Sequence, residues 1–256
     1  MNIIQLTGIV SLIIQVITGI FDYYVLNLTI TPDLKLLRDL LFVEFCVQIV
    51  EGIFYIWLVL NFNKIKNITP NRYFDWSITT PTMLLTYCVY LIYLKNTSND
   101  KSKKNENQCT DVSCKGMYEI VLENWKVLLP IILLNLVMLI FGYLGEMNII
   151  SVIKANLLGF IPFFIYFSMI YNNFAKDFTI GKYTFAVFFG LWLLYGVAAF
   201  LPYTQKNISF NILDLFAKNF FGVFIGTLIL YKLNKNQQNI ENQKHFLEKS
   251  VIKNTF

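Results

Sequence analysis

Seven long apolar stretches dominate this chain. They fall at 3–26, 36–60, 72–94, 119–144, 149–172, 181–202 and 209–232. An α-helix rises 1.5 Å per residue, so about 20 apolar residues cross the ~30 Å hydrocarbon core of a bilayer. Inside hydrocarbon, backbone polar groups must be bonded internally, and a helix does this within one segment. The fold class read from this pattern is an all-α membrane protein, a bundle of seven transmembrane helices. Composition supports it, because only 14% of the 256 residues are charged, against about 25% in soluble domains. Residues 1–20 lack a basic n-region and a small-residue cleavage site, so no cleaved signal peptide is expected.

Polar connections separate the spans, and the longest, Lys95 to Tyr118, contains NTSNDKSKKNENQ. That stretch is too polar to pack and is expected to be mobile. The expected organisation is one seven-helix domain, 1–232, followed by a polar tail, 233–256. Four Cys and one His are too few and too scattered for zinc, which takes about four ligands. No metal site is expected. Cys109 and Cys114, at C-x4-C spacing, read as two solvated thiols, and His245 as a solvated tail residue.

Lys and Arg concentrate on one side of such a bundle. With the N-terminus outside, fifteen fall on the cytoplasmic side and five on the outer side. Short cytoplasmic loops carry the excess of basic residues, so the N-terminus is expected outside and the C-terminus in the cytoplasm. The net charge of +5 is then a topology signal, and a nucleic-acid partner is not called for.

Ionisable groups at bilayer depth are costly and usually mark function. Lys218 stands near the middle of the seventh span, with Asp214 one turn before it on the same face. In the third span Arg72 and Asp75 precede Trp76, Thr79, Thr80 and Pro81. A buried ion-pair network of Arg72, Asp75, Asp214 and Lys218 would by itself name no function.

The surrounding residues add more. RYFDWSITTP at 72–81 and DLFAKNFFG at 214–222 resemble the third- and seventh-helix signatures of microbial rhodopsins, and the resemblance covers all seven spans in order. It implies the microbial rhodopsin type of bundle, with all-trans retinal bound to Lys218 as a Schiff base. It implies Asp75 and Asp214 as the counterions and Arg72 as their partner. A positively charged nitrogen in low dielectric needs such a counter-charge. The implied retinal pocket comprises Trp76, Thr79, Thr80, Met83, Asn135, Met138, Trp192 and Tyr195, with a Thr80–Asn135 hydrogen bond. Ordinary core packing is the alternative fate of the aromatics. Gly196 departs from a usual helix-six proline, and Ala199 from a common pocket tryptophan. No site is assigned in helix five around Gly159 and Pro162.

Pumps, channels and sensors share this scaffold. Asp75 and Thr79 match an outward proton pump, but Thr86 stands where efficient pumps carry a proton-donor carboxylate. Thr204 and Lys206 stand about where release glutamates do. Helix two carries Glu44 and Glu51 on one face, about 10 Å apart along the axis, with Gln48 between and Tyr55 beyond. Helix one lines up Ser11, Gln15, Thr18 and Asp22, and helix seven adds Asn219. Interhelical hydrogen bonding is the plain account of such lines, and a cation route lined by acidic groups is the functional one. Ser11, Gln15, Glu44, Glu51 and Asn219 together resemble channelrhodopsins, closest to the group I viral rhodopsins. The expected function is a light-gated cation channel passing Na+, K+ or H+ across a lipid bilayer, the host cell membrane if the source is viral. An outward proton pump is second and a photosensor third. Enzymatic activity is not expected, and an oligomer is compatible with the sequence.

Overall fold

The computed structural model describes residues 2–99, 112 and 114–254. Seven spans form, built from eight α-helices: α1 Ile3–Leu26, α2 Lys35–Asn61, α3 Thr69–Asn99, α4 Met117–Glu146, α5 Val152–Ile170, α6 Thr179–Ala198, α7 Tyr203–Asp214 and α8 Phe220–Asn254. The seventh span is composite, because a π-helical turn, Leu215–Asn219, joins α7 to α8. A second π turn, Tyr171–Ala175, ends the fifth span. All seven spans are long and apolar enough to cross a membrane, and no strand occurs among the described residues.

The ends follow local chemistry. The Asn2 side chain accepts from the Ile4 N–H at 2.9 Å and starts α1. Asn67 does the same for Thr69 at 3.1 Å, so α3 begins three residues before the expected 72. Pro70 then sits in the first turn, where its missing N–H costs nothing. Pro202 precedes α7, which starts at Tyr203 and takes in the 203–208 stretch expected to be a loop. At the other end α8 continues to Asn254, through residues expected to form a polar tail. The Asp39 carboxylate accepts from Met117 N–H at 3.1 Å, tying α2 to the first turn of α4.

Most of the polar connection expected to be mobile, residues 100–111, lies outside the described residues, and Cys109 with it. Cys114 is disulfide-bonded, which corrects its reading as a solvated thiol. Cys46 and Cys88 are free.

The first helix is inside-out relative to a helix of a soluble protein. On α1 the buried face is Ser11, Gln15, Thr18 and Asp22, while Ile13, Ile17 and Ile20 are exposed. A hydrocarbon solvent rewards this arrangement, because apolar side chains lose nothing by facing lipid while polar ones must find partners inside. The aromatic core lies between α3, α5 and α6, where Tyr87 stacks on Phe188 at 3.8 Å and Phe188 on Trp192 at 5.2 Å. Ion pairs pin both ends of the bundle. Lys95 meets Asp177 at 2.6 Å at one end and holds that exposed carboxyl below its ordinary range. Lys206, within α7 and not in a loop, meets Glu146 at 2.6 Å at the other.

Helices α4 and α5 approach closely through small residues. A Cβ on Gly145 would stand 2.5 Å from the Ala155 Cβ. Gly145→Leu should therefore force the two helices apart, at about 1–3 kcal/mol for overpacking. A thermal melt of the solubilised protein is expected to fall by several degrees, and an unchanged melt would contradict this packing.

Candidate functional site

Lys218 lies in the π turn of the seventh span and is buried. A π turn adds a residue to one turn of helix, and such turns are frequent at functional positions. The ammonium meets Asp75 Oδ2 at 2.6 Å, with Asp214 Oδ1 and Glu51 Oε1 each at 3.7 Å. One buried cation thus faces three carboxyl groups from three spans.

Asp214 is held from several sides. The Tyr195 hydroxyl donates to Oδ1 at 2.8 Å, the Tyr55 hydroxyl to Oδ2 at 2.8 Å, and Arg72 Nη1 reaches Oδ2 at 3.4 Å. Arg72 also donates from Nε to Asn207 at 3.2 Å, and from Nη2 to Asn211. Asp75 has one partner, Lys218, and its Oδ1 has none. The two aspartates are thereby unequal. Asp214 is fixed by tyrosines and arginine, whereas Asp75 is bonded to the lysine alone. Among the described residues the one ion pair of Arg72 is with Asp214.

A cavity opens from Lys218 between Trp76 and Trp192. Tyr195, Met83, Met138 and Thr80 line it, as the sequence led one to expect. Thr79 and Asn135 are not among the residues that line it. Thr79 donates to the Asp75 carbonyl at 3.0 Å, while Asn135 accepts from Thr80 at 2.9 Å in the expected interhelical bond. The sequence missed the wall given by helix five, namely Asn156, Gly159, Phe160 and Phe163. The departure at Gly196 has a steric reason, because a Cβ there would meet the Phe160 ring at 2.6 Å.

Away from the cavity, the first, second, third and seventh spans share a buried polar column. Ser11 donates to the Asn211 carbonyl at 3.4 Å, and Thr18 to Asn219 Oδ1 at 3.4 Å. Gln48 Nε2 donates to Asp22 Oδ2 at 2.6 Å, and Thr86 donates to Glu44. Many polar atoms in the column lack partners: both amide atoms of Gln15, both oxygens of Glu51, Asp22 Oδ1, Glu44 Oε2, Gln48 Oε1 and Asn219 Nδ2. Buried polar groups are normally satisfied by protein or water.

With a buried lysine facing carboxylates at the end of an aromatic cavity, and seven spans around it, the class is a retinal-binding seven-helix membrane protein. The chain belongs to the bacteriorhodopsin-like family, whose profile, described as "Bacteriorhodopsin-like protein", matches residues 2–231. Among solved structures it is similar to viral rhodopsin OLPVRII, at 26% identity and TM-score 0.71, covering 89% of this chain and 97% of that one. It is similar in fold to the blue light-absorbing proteorhodopsin from Med12 (18%, 0.66, 91% and 99%). It is likewise similar to xanthorhodopsin, described as a light-driven ion pump with dual chromophore (15%, 0.65, 92% and 95%). None of the curated proteins matches it.

Retinal is the chromophore of this family, and the residues present fit it. The wall is aromatic and apolar, glycines at 142, 159 and 196 keep side chains out of it, and a lone amine projects at one end. Because Asp75 is nearest that amine, its charge weighs most there. With retinal bound, Asp75→Asn is expected to move visible absorption to longer wavelength more than Asp214→Asn does. Equal shifts in the two spectra would contradict the ranking by distance.

Proposed function

We propose that this protein is a light-gated cation channel, with Lys218 as the attachment residue for retinal. The observation that carries this reading is the buried polar column between the first, second, third and seventh spans, many of whose atoms find no partner within the protein. A static membrane core would pair such groups or replace them with apolar ones. Left as they are, they offer oxygen ligands that can stand in for part of a cation's hydration shell. Acidic groups recur along the route, with Glu51 beside Lys218 and Glu44 about 10 Å along the helix.

Retinal supplies light absorption and a change in charge and proton position at the Lys218 nitrogen. The residues around that nitrogen couple this change to the column. Asp75 accepts the proton, since it is the nearest base and has a free oxygen. Asp214, tied to Tyr55, Tyr195 and Arg72, keeps its place and charge. Glu51, within 3.7 Å of Lys218 and without a hydrogen bond, answers the altered charge most freely. Ser11, Gln15, Glu44 and Asn219 line the rest of the route. The permeant ions are Na+, K+ and H+, the N-terminus lies outside, and residues 233–256 lie in the cytoplasm. Residues 1–232 form the retinal-binding domain, in the host membrane if the source is viral.

A second reading, the outward proton pump, has its own observation. Thr86 has no carboxylate of its own, yet it bonds Glu44 from the neighbouring helix, so a carboxyl group does stand at that level.

Three variants test these readings, the first the attachment residue and the other two the choice between channel and pump. Lys218→Ala is expected to abolish visible absorption with retinal, and a coloured variant would remove the attachment assignment. Glu51→Ala should retain colour and photocycle but change the reversal potential of the photocurrent between Na+ and K+ solutions. Glu44→Ala should mainly lower current, because water near the cytoplasmic mouth partly substitutes for its carboxyl. Transport in both glutamate variants indistinguishable from the parent would favour the pump.

A further inference from the structure

Asp22 is fully buried in the first span, and its one hydrogen bond is to Gln48 Nε2 of the second, at 2.6 Å. The pair closes against the seventh span at Gly222. A Cβ there would overlap Asp22 Oδ2 and stand 2.8 Å from Gln48 Nε2. Gly226, one turn on, would place a Cβ 3.6 Å from Asp22 Oδ1. Three spans therefore meet at one polar contact with no apolar side chain between them, and the third takes part only because it carries glycine.

The position matters. Gln48 is three residues from Glu51 and four from Glu44, hence about 4.5 and 6 Å along the axis. On the Glu51 side, the Thr18–Asn219 bond lies one turn before Asp22 and three residues before Gly222. On the other side Glu44 is bonded to Thr86. The contact thus separates the two glutamates. It is also a single bond, since Asp22 Oδ1 and Gln48 Oε1 each find no partner within the protein. Water can replace a single hydrogen bond between such groups at little net cost. A closure meant to be permanent is better made from packed aliphatic side chains.

We propose that the Asp22–Gln48 hydrogen bond, seated on Gly222, is the inner barrier of the polar route, closed in the dark and parted when ions or protons pass. The idea rests on the route described above and assigns Asp22, Gln48 and Gly222 as its gate residues.

The test reads access in the dark, which does not depend on whether the light-driven current is channel-like or pump-like. Cysteine is placed by Gln15→Cys beyond the contact, or by Glu44→Cys before it. A small trimethylammonium methanethiosulfonate is applied from the cytoplasmic side, and labelling at that position is followed by mass spectrometry. Glu44 is itself buried, near the packed cluster of Val25, Leu40, Leu41, Ile225 and Ile229, so residue 44 should label slowly, while residue 15 should not label. Adding Gln48→Ala, or separately Asp22→Ala, should raise the rate at residue 15 at least about tenfold, a barrier change of about 1.4 kcal/mol. Both changes together should add nothing beyond either, as expected of partners in one contact. Gly222→Ala, which wedges a methyl group into the pair, supplies the same readout if either variant fails to bind retinal. Equal labelling of residue 15 in all backgrounds would overturn the proposal, as would labelling in none. Failure of residue 44 to label would place the barrier nearer the cytoplasm and also overturn it. A photocurrent that never reverses would remove the channel reading and leave these rates to judge the barrier.

Discussion

The buried charges of this bundle are arranged around the Lys218 ammonium. An ammonium at Lys218, in surroundings of low dielectric, is tolerable only with opposite charge and hydrogen-bonding partners close by. The protein supplies Asp75 at 2.6 Å and Asp214 and Glu51 at 3.7 Å. Each of those carboxyls then makes its own demand. Asp214 is met by Tyr55, Tyr195 and Arg72, and Arg72 in turn by Asn207 and Asn211. The second, third, sixth and seventh spans are thereby registered against one another through polar contacts, which lipid cannot provide.

On the proposed channel reading, the unevenness of that network is what couples it to the route. A fully satisfied cluster would be rigid. Here the satisfied part is Asp214 with Arg72, while Asp75 and Glu51 keep free oxygens. The satisfied half holds the lysine in place against the Trp76–Trp192 cavity. The unsatisfied half opens onto the polar column that runs between the first, second, third and seventh spans. A change of charge at the lysine nitrogen thus acts first on groups with somewhere to move.

How far this was legible from sequence depended on how unusual each residue was for its surroundings. Lys218, Asp75, Asp214 and Arg72 stood out because charges are rare in apolar spans, and the structure brings all four together. The polar faces of α1 and α2 were equally visible, since Ser11, Gln15, Thr18 and Asp22 interrupt an isoleucine-rich helix at regular spacing. Asn207 and Asn211 were harder. Asn207 fell in the 203–208 stretch read as a loop, and Asn211 in the first turn of the expected span, until α7 is seen to start at Tyr203 and turn both inward onto Arg72. The helix-five wall was illegible for the opposite reason, since Phe160 and Phe163 sit among other aromatics and nothing local says which ring faces the cavity. Thr79 and Asn135 were named from the resemblance alone, and the structure gives their hydrogen bonds, to the Asp75 carbonyl and to Thr80. Pairing across helices, such as Thr86 with Glu44, leaves no trace along the chain.

The central claim is that the polar column conducts cations down their gradient once light shifts the charge at Lys218. The direct measurement is the photocurrent of the unaltered protein against membrane voltage, in solutions whose cation gradients are known. The account predicts a current that changes sign, at a voltage that moves with the gradient of the permeant cation. A current of one direction at every voltage, indifferent to the Na+ and K+ gradients, would contradict it.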